Sequence, residues 1–355
     1  MNDSIQNKTH EGTVGRHRLA LAPGDPAGIG YEIMLSALCR SELLAKAQFG
    51  GIVFVIYAHR ALFEKARDRF APSLALWPVN DASEALECER LYLIDSGLPV
   101  PNFKPGQLSA ACAASAHRSL MQASDDVKRG IIDGICTGPI HKAAMRLAHI
   151  SAIGHTEMLA NVFGTPHAMT LFITRALRIF FYSRHLSLRQ ALDTLDIEGI
   201  VEFGIRMHEH MQSLGFKSPR LAMAALNPHA GDSGQFGDEE TRILIPAATR
   251  LRTLGINMAE PIAADSVFAQ AARGRFDAVL SLYHDQGHIA AKTYDFERTI
   301  SMTLGLPCLR TSVDHGPALD IAWHGKAQSL SMETAIDALI DYFLLKKCPS
   351  SDIQP

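Results

Sequence analysis

The chain alternates between short apolar runs of strand length and longer amphipathic runs of helical length. This alternation is typical of α/β proteins, in which a mostly parallel sheet is covered by helices on both faces. Strands are predicted at 17–22, 51–57, 91–94, 131–136, 169–173, 177–183, 220–226, 277–283 and 307–310. Helices are predicted at 30–46, 108–129, 188–213, 239–254 and 329–346.

The length of 355 residues is sufficient for two domains. No linker rich in proline, glycine or serine divides the chain, so we predict a discontinuous arrangement in which two units meet along a cleft. The first unit is predicted at 16–145 plus 305–347, and the second at 146–304. Residues 1–15 are expected to be a disordered leader, and the tail beyond about Lys347 is expected to be disordered too.

The composition excludes several classes of partner. The net charge of −3 offers no long-range attraction to nucleic acid or to an anionic membrane. No apolar run reaches the roughly 18–20 residues that span a bilayer, and the N-terminus lacks the apolar segment of a signal peptide. The six cysteines are scattered without a C-x-x-C pair, which suits a reducing compartment. We therefore expect a cytoplasmic protein that binds neither nucleic acid nor membrane.

Three histidines follow three separate predicted strands. His185, His229 and His284 each come after an apolar run, and each is expected to begin a polar loop. Strand ends on one edge of an open α/β sheet converge on a common crevice. Three imidazoles gathered there could hold a divalent metal ion and leave positions for a substrate. A single histidine after a strand is more often an ordinary loop residue, so the prediction depends on all three being placed together.

The first predicted strand is followed by Pro23-Gly24-Asp25-Pro26-Ala27-Gly28-Ile29-Gly30. This run could bring the backbone close to an anion at a helix N-terminus. It matches neither the P-loop pattern nor G-x-G-x-x-G, so it identifies no cofactor-binding residue. An ordinary turn between a strand and a helix is the alternative interpretation.

Further polar residues follow other predicted strands. His155 and Thr156, in Gly154-His155-Thr156-Glu157, offer adjacent donors for a carboxylate or hydroxyl, although Thr156 is also predicted to cap a helix at 157–163. Asp285 could orient a metal-binding imidazole. Asp285 and Lys142 are the candidates for catalytic roles, and His288 is expected in a loop or facing the substrate.

Two cations lie close to these motifs along the chain. Lys292 comes eight residues after His284, and Arg310 ends a predicted strand. Either residue alone would ordinarily be a solvated surface group. Together beside a metal-lined cleft they would suit an anionic group such as phosphate.

Taken together, these motifs resemble the 4-hydroxythreonine-4-phosphate dehydrogenase family over about residues 17–345. The motifs that carry the resemblance occur in family order: G-D-P-A-G-I-G, T-G-P-I-H-K, G-H-T-E, L-N-P-H-A-G, Y-H-D-Q-G and R-T-S-V-D-H-G. The resemblance implies an α/β/α sandwich of the isocitrate/isopropylmalate dehydrogenase type, with two domains around a central cleft. It also implies an obligate homodimer in which histidines of both subunits hold the metal.

The resemblance also assigns residues and cofactors. The implied metal ligands are His185, His229 and His284. The implied substrate contacts are His155, Thr156, Lys292, Arg310 and Ser301, the last at a position where the family usually has asparagine. The implied cofactors are NAD or NADP and one divalent ion per subunit, which could be Zn, Mg, Mn or Co.

The implied reaction is oxidation of a phosphorylated hydroxy acid, followed by decarboxylation of the resulting keto acid. The substrate would be 4-phosphohydroxy-L-threonine or 4-phospho-D-threonate/erythronate, and the sequences H-D-Q-G-H and D-I-A-W favour the latter pair. A branch of the family that oxidises a cis-dihydrodiol dicarboxylate in terephthalate catabolism is one alternative. A metal-dependent phosphatase or hydrolase and a non-catalytic, metabolite-binding paralogue are alternatives from other classes.

Overall fold

The computed structural model describes residues 16–151 and 154–347, so the expected leader and the tail beyond Lys347 lie outside the described residues. A single mixed sheet runs through the described chain in the order β3-β4-β2-β1-β5-β11-β10-β6-β7-β9-β8. Its strands are β1 (His17–Ala22), β2 (Ile52–Ala58), β3 (Leu76–Val79), β4 (Leu91–Asp95), β5 (Gly134–Thr137), β6 (Met169–Thr174), β7 (Leu177–Phe181), β8 (Leu221–Met223), β9 (Ala278–Ser281), β10 (Ile300–Leu304) and β11 (Leu309–Val313).

Helices connect most of these strands. They are α1 (Gly30–Leu38), α2 (Ser41–Phe49), α3 (Arg60–Phe70), α4 (Ala110–Lys128), α5 (Lys142–Leu147), α6 (His155–Phe163), α7 (Leu188–Asp193), α8 (Ile197–Ser213), α9 (Ile245–Thr253), α10 (Ala264–Ala272), α11 (His284–Tyr294) and α12 (Leu330–Lys347). The predicted α/β class is confirmed by this order of elements.

The sheet consists of two parallel blocks joined by antiparallel strands. In the first block β3, β4, β2, β1, β5 and β11 are parallel, and in the second β7, β9 and β8 are parallel. Between the blocks, β10 pairs antiparallel with β11 and β6, and β6 pairs antiparallel with β7. The two predicted units thus contribute contiguous sets of strands that meet at β11 and β10, while the domain bounds themselves stay a prediction.

Both faces of the sheet are buried, as predicted. In β1, Leu19 and Leu21 contact one hydrophobic core, whereas Ala20 between them contacts another. Alternate side chains of a strand point to opposite faces, so the two cores lie on opposite sides of the sheet. The side chains of β2 alternate in the same way, and the whole strand is buried.

Some predicted elements were wrong in extent. The predicted helix 30–46 is two helices, because the backbone of Arg40 is extended (φ −78°, ψ 109°). The predicted helix 188–213 is interrupted in the same way at Asp196, whose carboxylate caps α8 by accepting from the Gly199 amide at 2.8 Å. Strand β3 was not predicted, because it contains Pro78 and proline is unusual in strands. The sheet tolerates this proline because β3 is an edge strand.

No helix within residues 16–151 and 154–347 has the length and apolar character needed to cross a membrane.

The glycine-rich turn after β1 holds a buried carboxyl group, which makes stability depend on pH. Asp25 is 1% exposed, and burial raises its pKa from 3.8 to about 6 despite a hydrogen bond from the Ala27 amide. The folded state therefore favours the protonated carboxyl, and this contribution to stability is present below pH 3.8 and lost as the pH rises through 6.

We expect Asp25→Asn, which stays neutral, to be more stable than the wild type at pH 8 by at most about 3 kcal/mol, and to differ little at pH 4. Urea unfolding at both pH values measures this difference. Asp68→Asn, at an exposed position, is the control. A stability difference that is the same at both pH values would contradict the assignment.

Candidate active site

The three histidines predicted as metal ligands follow three neighbouring strands. His185 comes after β7, His284 after β9 and His229 after β8, and these strands are adjacent and parallel in the order β7-β9-β8. Their carboxyl ends therefore lie on the same edge of the sheet. The ring centroids of His185 and His284 are 6.4 Å apart. Within residues 16–151 and 154–347, no three side chains of His, Cys, Asp or Glu are close enough to hold one metal ion.

The described chain thus places two of the three predicted ligands near each other. The ring of His229 is exposed and lies 6.3 Å from that of Phe236.

The prediction that His284 begins a loop was wrong. His284 is the first residue of α11. The negative charge of Asp285 in the first turn stabilises the positive, N-terminal end of the helix dipole. Glycine disfavours helices, so Gly287 made this helix hard to predict from the sequence. In the structure, a Cβ on residue 287 would lie only 2.5 Å from Phe181 Cε1. Glycine therefore allows α11 to pack directly on β7.

The helix fixes the imidazole of His284 on two sides. Its Nδ1 lies 2.6 Å from Asp285 Oδ1, as predicted for a carboxylate that orients the ring. Its face stacks on His288 with centroids 3.6 Å apart. His288 lies within α11 and not in the loop that was one of the predictions for it. Because Nδ1 of His284 contacts Asp285, Nε2 is the nitrogen of His284 that is available to a ligand. Burial lowers the pKa of His288 to about 4.

The motif that contains His155 and Thr156 starts α6. The prediction that Thr156 caps this helix was wrong. Gly154 occupies the capping position, and His155 is the first helical residue. Thr156 Oγ1 lies 3.5 Å from Thr303 Oγ1 on β10. Burial, together with the charge of Arg310, holds the pKa of His155 well below its usual value, so this ring is neutral at pH 7.

Arg310 on β11 is a buried cation whose hydrogen-bond partners are hydroxyl groups. It is 4% exposed. Its guanidinium donates to Thr137 Oγ1 at 2.8 and 3.1 Å and to Thr303 Oγ1 at 3.1 Å. Burial lowers its pKa to about 10, so the group stays charged at neutral pH. No carboxylate in the part of the chain that the structure describes forms an ion pair with it.

Sequence reasoning missed two charged residues that lie beside Arg310. Arg184 donates to Thr170 Oγ1, and Thr170 is paired with Thr303 across β6 and β10. Glu157 Oε1 lies 3.8 Å from Arg184 Nη2 and 3.7 Å from His185 Nδ1. Glu157 is the last residue of the G-H-T-E motif and Arg184 directly precedes His185, and these positions are the signal that could have identified them.

Lys292 differs from Arg310 because it has a carboxylate partner. Its Nζ lies 2.8 Å from Asp314 Oδ2 and donates to the Asp314 carbonyl oxygen at 3.1 Å. Burial raises the pKa of Asp314, and the hydrogen bond and charge of Lys292 oppose that effect. Asp314 was another residue that the sequence did not single out, although it lies in the R-T-S-V-D-H-G motif.

The remaining candidates lie around this group. Lys142 is the first residue of α5, and its charge adds to burial and to Arg184 in lowering the pKa of His185. Ser301 is buried on β10, directly opposite Ser312 of β11. Because it is two residues from Thr303, its side chain lies on the face of the sheet that Thr303 and Arg310 share.

His229 lies in a left-handed turn. Residues 229–233 all have positive φ, at 53°, 57°, 83°, 40° and 57°, and only Gly231 is a glycine. A left-handed conformation costs residues with a Cβ roughly 1–2 kcal/mol each, and more than one such residue in succession is unusual. Strain of this kind persists where the surrounding structure enforces it, and it is common at functional sites.

The chain is similar to known proteins over nearly its full length. The family model described as "Pyridoxal phosphate biosynthetic protein PdxA" matches residues 52–339. A protein of Symbiobacterium thermophilum, assigned as a D-threonate 4-phosphate dehydrogenase, is 42% identical over 325 residues, which are 90% of this chain and 95% of the relative.

Two solved structures extend the comparison. A 4-hydroxythreonine-4-phosphate dehydrogenase from Klebsiella pneumoniae is 34% identical with a TM-score of 0.81, covering 94% of this chain and 99% of that one. A terephthalate 1,2-cis-dihydrodiol dehydrogenase from Burkholderia xenovorans LB400 is 27% identical with a TM-score of 0.61, covering 92% of this chain and 98% of that one. The predicted isocitrate/isopropylmalate dehydrogenase-like fold is confirmed. The extent of the family match and the identity to these relatives show that the chain belongs to the PdxA family.

Proposed function

We propose that this protein is an NAD(P)-linked, divalent-metal-dependent dehydrogenase that oxidises the CH–OH group of a 4-phosphorylated hydroxy acid, with decarboxylation of the product. The substrate class we favour is 4-phospho-D-threonate or 4-phospho-D-erythronate, ahead of 4-phosphohydroxy-L-threonine. The assignment of the 42% identical relative as a D-threonate 4-phosphate dehydrogenase supports this choice. The observation that carries the proposal is the buried charge of Arg310, for which residues 16–151 and 154–347 supply no ion pair.

A buried cation without a counter-ion is costly, and binding an anion removes that cost. Arg310 contacts hydroxyl groups, and Arg184 approaches the same threonine-lined region from the segment that follows β7. Guanidinium groups match the geometry of phosphate oxygens and form charge-assisted hydrogen bonds with them. Thr156 and neutral His155 at the start of α6 add donors at the edge of this region. We assign the phosphate to Arg310 with Lys292, and the carboxylate end to His155 and Thr156.

The donors around His284 fit a divalent metal ion. An imidazole whose Nδ1 contacts a carboxylate and whose Nε2 is left for a ligand is the usual arrangement of a metal-binding histidine. His185 has a similar carboxylate neighbour in Glu157. We propose His185, His229 and His284 as the ligands and Zn, Mg, Mn or Co as candidate ions. Imidazole ligands suit Zn and Co better than Mg.

The reaction would convert a secondary alcohol to a ketone by loss of a hydride and of the hydroxyl proton. A bound nicotinamide cofactor and divalent ion would supply the hydride acceptor and the polarisation of that hydroxyl. The protein's own residues would position the substrate between His284 and the region around Arg310 and Arg184. Asp285 would hold the ring of His284, and Lys142 and Asp285 are the candidates for moving the proton.

A second candidate is oxidation of a cis-dihydrodiol dicarboxylate. The 27% identical structure from Burkholderia is a dehydrogenase of such a compound, and Arg310 could bind a carboxylate in place of phosphate. The lower identity and TM-score of that structure make this the less favoured substrate.

Substrate assays test the proposal directly. Reduction of NAD⁺ and NADP⁺ would be followed with each of the three phosphorylated acids, with unphosphorylated D-threonate, and with the terephthalate diol. We expect turnover of a phosphorylated acid, little turnover of D-threonate, and loss of activity on chelation of metal. Activity on the diol alone would select the second candidate. Phosphate release without NAD(P)⁺ would instead indicate a phosphatase, and ligand-induced stabilisation without turnover a non-catalytic binding protein.

We also propose that the protein acts in the cytoplasm as a homodimer with a metal site shared between subunits. Two observations support a shared site: one chain places His185 near His284 without completing a ligand triad in the described residues, and α11 carries exposed apolar side chains at Ile289 and Tyr294. An exposed apolar patch beside a site is a common dimer surface.

Complementation between inactive variants tests the shared site. If His229 and His284 of one site come from different subunits, mixing His229→Ala with His284→Ala under exchange conditions should restore about a quarter of wild-type activity, because half of the dimers would contain one intact site of two. A mixture that stays inactive, although subunits exchange, would place both residues in one subunit.

A further inference from the structure

Glu240 lies beside the left-handed turn that carries His229 and follows that turn closely in the sequence. It is the first residue of a π-helical turn, Glu240–Leu244, which leads into α9. Its side chain is 2% exposed. Single π-helical turns occur frequently at functional sites.

The carboxylate of Glu240 accepts hydrogen bonds from the segment that enters the turn. Oε1 accepts from the Leu226 amide at 2.8 Å and from the Asn227 amide at 2.7 Å. Oε2 accepts from Asn227 Nδ2 at 2.8 Å. No Lys, Arg or His in residues 16–151 and 154–347 forms an ion pair with Glu240, so these three donors stabilise its buried charge.

Glu240 also contacts the middle of the turn. A Cβ on Gly231 would lie 2.9 Å from Glu240 Oε2, so the absence of a side chain lets the turn approach the carboxylate. Asn227 and Gly231 lie two residues before and two residues after His229, and both are in contact with Glu240. Pro228 limits the backbone further between Asn227 and His229.

The exposed ring of His229 depends on this backbone for its position. The ring of His229 lies near that of Phe236, whose side chain is itself 49% exposed. A residue that fixes the strained turn therefore determines where the imidazole points.

We propose that Glu240 is a positioning residue, which holds the left-handed turn 229–233 so that His229 is placed to bind a divalent metal ion. This inference rests on the proposed metal-dependent function. Glu240 itself does not touch the metal or the substrate.

Glu240→Gln tests the inference with a small change. The glutamine oxygen can still accept from the backbone amides, but its NH₂ group would face the Asn227 amide donor and lose that contact. Glu260→Gln, at a site 70% exposed, is the matched control. Two measurements would be made on metal-free protein: titration with Co²⁺ alone, followed by its visible absorption, and hydrogen exchange of the amides of Leu226 and Asn227.

We expect Glu240→Gln to bind Co²⁺ about 10–100-fold more weakly, as is usual when a group that supports a metal ligand is changed. Exchange at Leu226 and Asn227 should be faster, whereas the control should match the wild type in both measurements. Glu240→Ala should show larger effects in the same direction. A normal melting temperature of Glu240→Gln together with weaker Co²⁺ binding would separate positioning from general loss of structure.

Two results would overturn parts of the proposal separately. If the wild type binds Co²⁺ and Glu240→Gln binds it equally well, the positioning role is wrong and the proposed function stands. If the wild type takes up no Co²⁺, the proposed metal-dependent function is wrong. In that case, faster hydrogen exchange at Leu226 and Asn227 in Glu240→Gln would still show that Glu240 holds the turn. Unchanged hydrogen exchange would show that Glu240 does not hold the turn either.

Discussion

Replacing Arg310 with methionine is expected to lower kcat/KM for a phosphorylated hydroxy acid about 10³-fold, equivalent to about 4 kcal/mol of transition-state stabilisation. Truncating one member of a buried charge pair typically costs 2–5 kcal/mol, so the estimate lies within that range. The stability of the free protein should move differently. Methionine removes a buried charge whose hydrogen-bond partners among the described residues are hydroxyl groups, so the free energy of unfolding should stay within about 1 kcal/mol of wild type or rise.

The two readouts together identify the role of Arg310. Steady-state kinetics would be compared with urea unfolding, and Arg220→Met would serve as control because Arg220 is half exposed and paired with Asp277. Large losses of both activity and stability would mean that Arg310 is a structural cation. Retained activity on a phosphorylated substrate would remove it from the binding site. Arg310→Lys should recover little, because lysine cannot reproduce the two-pronged contact of a guanidinium.

Replacing His284 with alanine is expected to abolish metal binding and to reduce turnover more than about 100-fold. The reason is that changes to residues that merely support a ligand already cost 10–100-fold, and His284 is proposed to be a ligand itself. Asp285→Asn should give a smaller loss of about 10–100-fold in metal affinity, because it disturbs only the contact to Nδ1.

Metal content after dialysis and turnover with the preferred substrate would be measured for both variants. His324→Ala, at an exposed position outside the site, provides the control. A His284→Ala protein that keeps bound metal and activity would exclude His284 as a ligand. Equal losses in Asp285→Asn and His284→Ala would show that Asp285 is itself essential rather than a support for the ring.

The sequence was sufficient to predict the features that depend on local periodicity. Alternating apolar runs gave the α/β class and most strands, because a strand buried on both faces must be apolar along its length. The same runs placed His185, His229 and His284 after strands, and motif order gave the family. Strand β10 was not among the predicted strands, although Ser301 and Thr303 alternate with apolar residues as is typical of a strand.

The tertiary structure alone decided which of these residues meet. Within the described residues Arg310 forms no ion pair, and its hydroxyl contacts arise from the pairing of β11 with β5 and β10. This pairing brings Thr137 to the guanidinium from a distant position in the chain and Thr303 from the adjacent strand. The contact of Glu240 with the turn at His229 likewise depends on how the π-helical turn Glu240–Leu244 packs against that turn, and no local pattern encodes it. Local sequence determines backbone preferences and the side of each element that is buried, whereas the distances between charges depend on strand order, which is set by the packing of the whole chain.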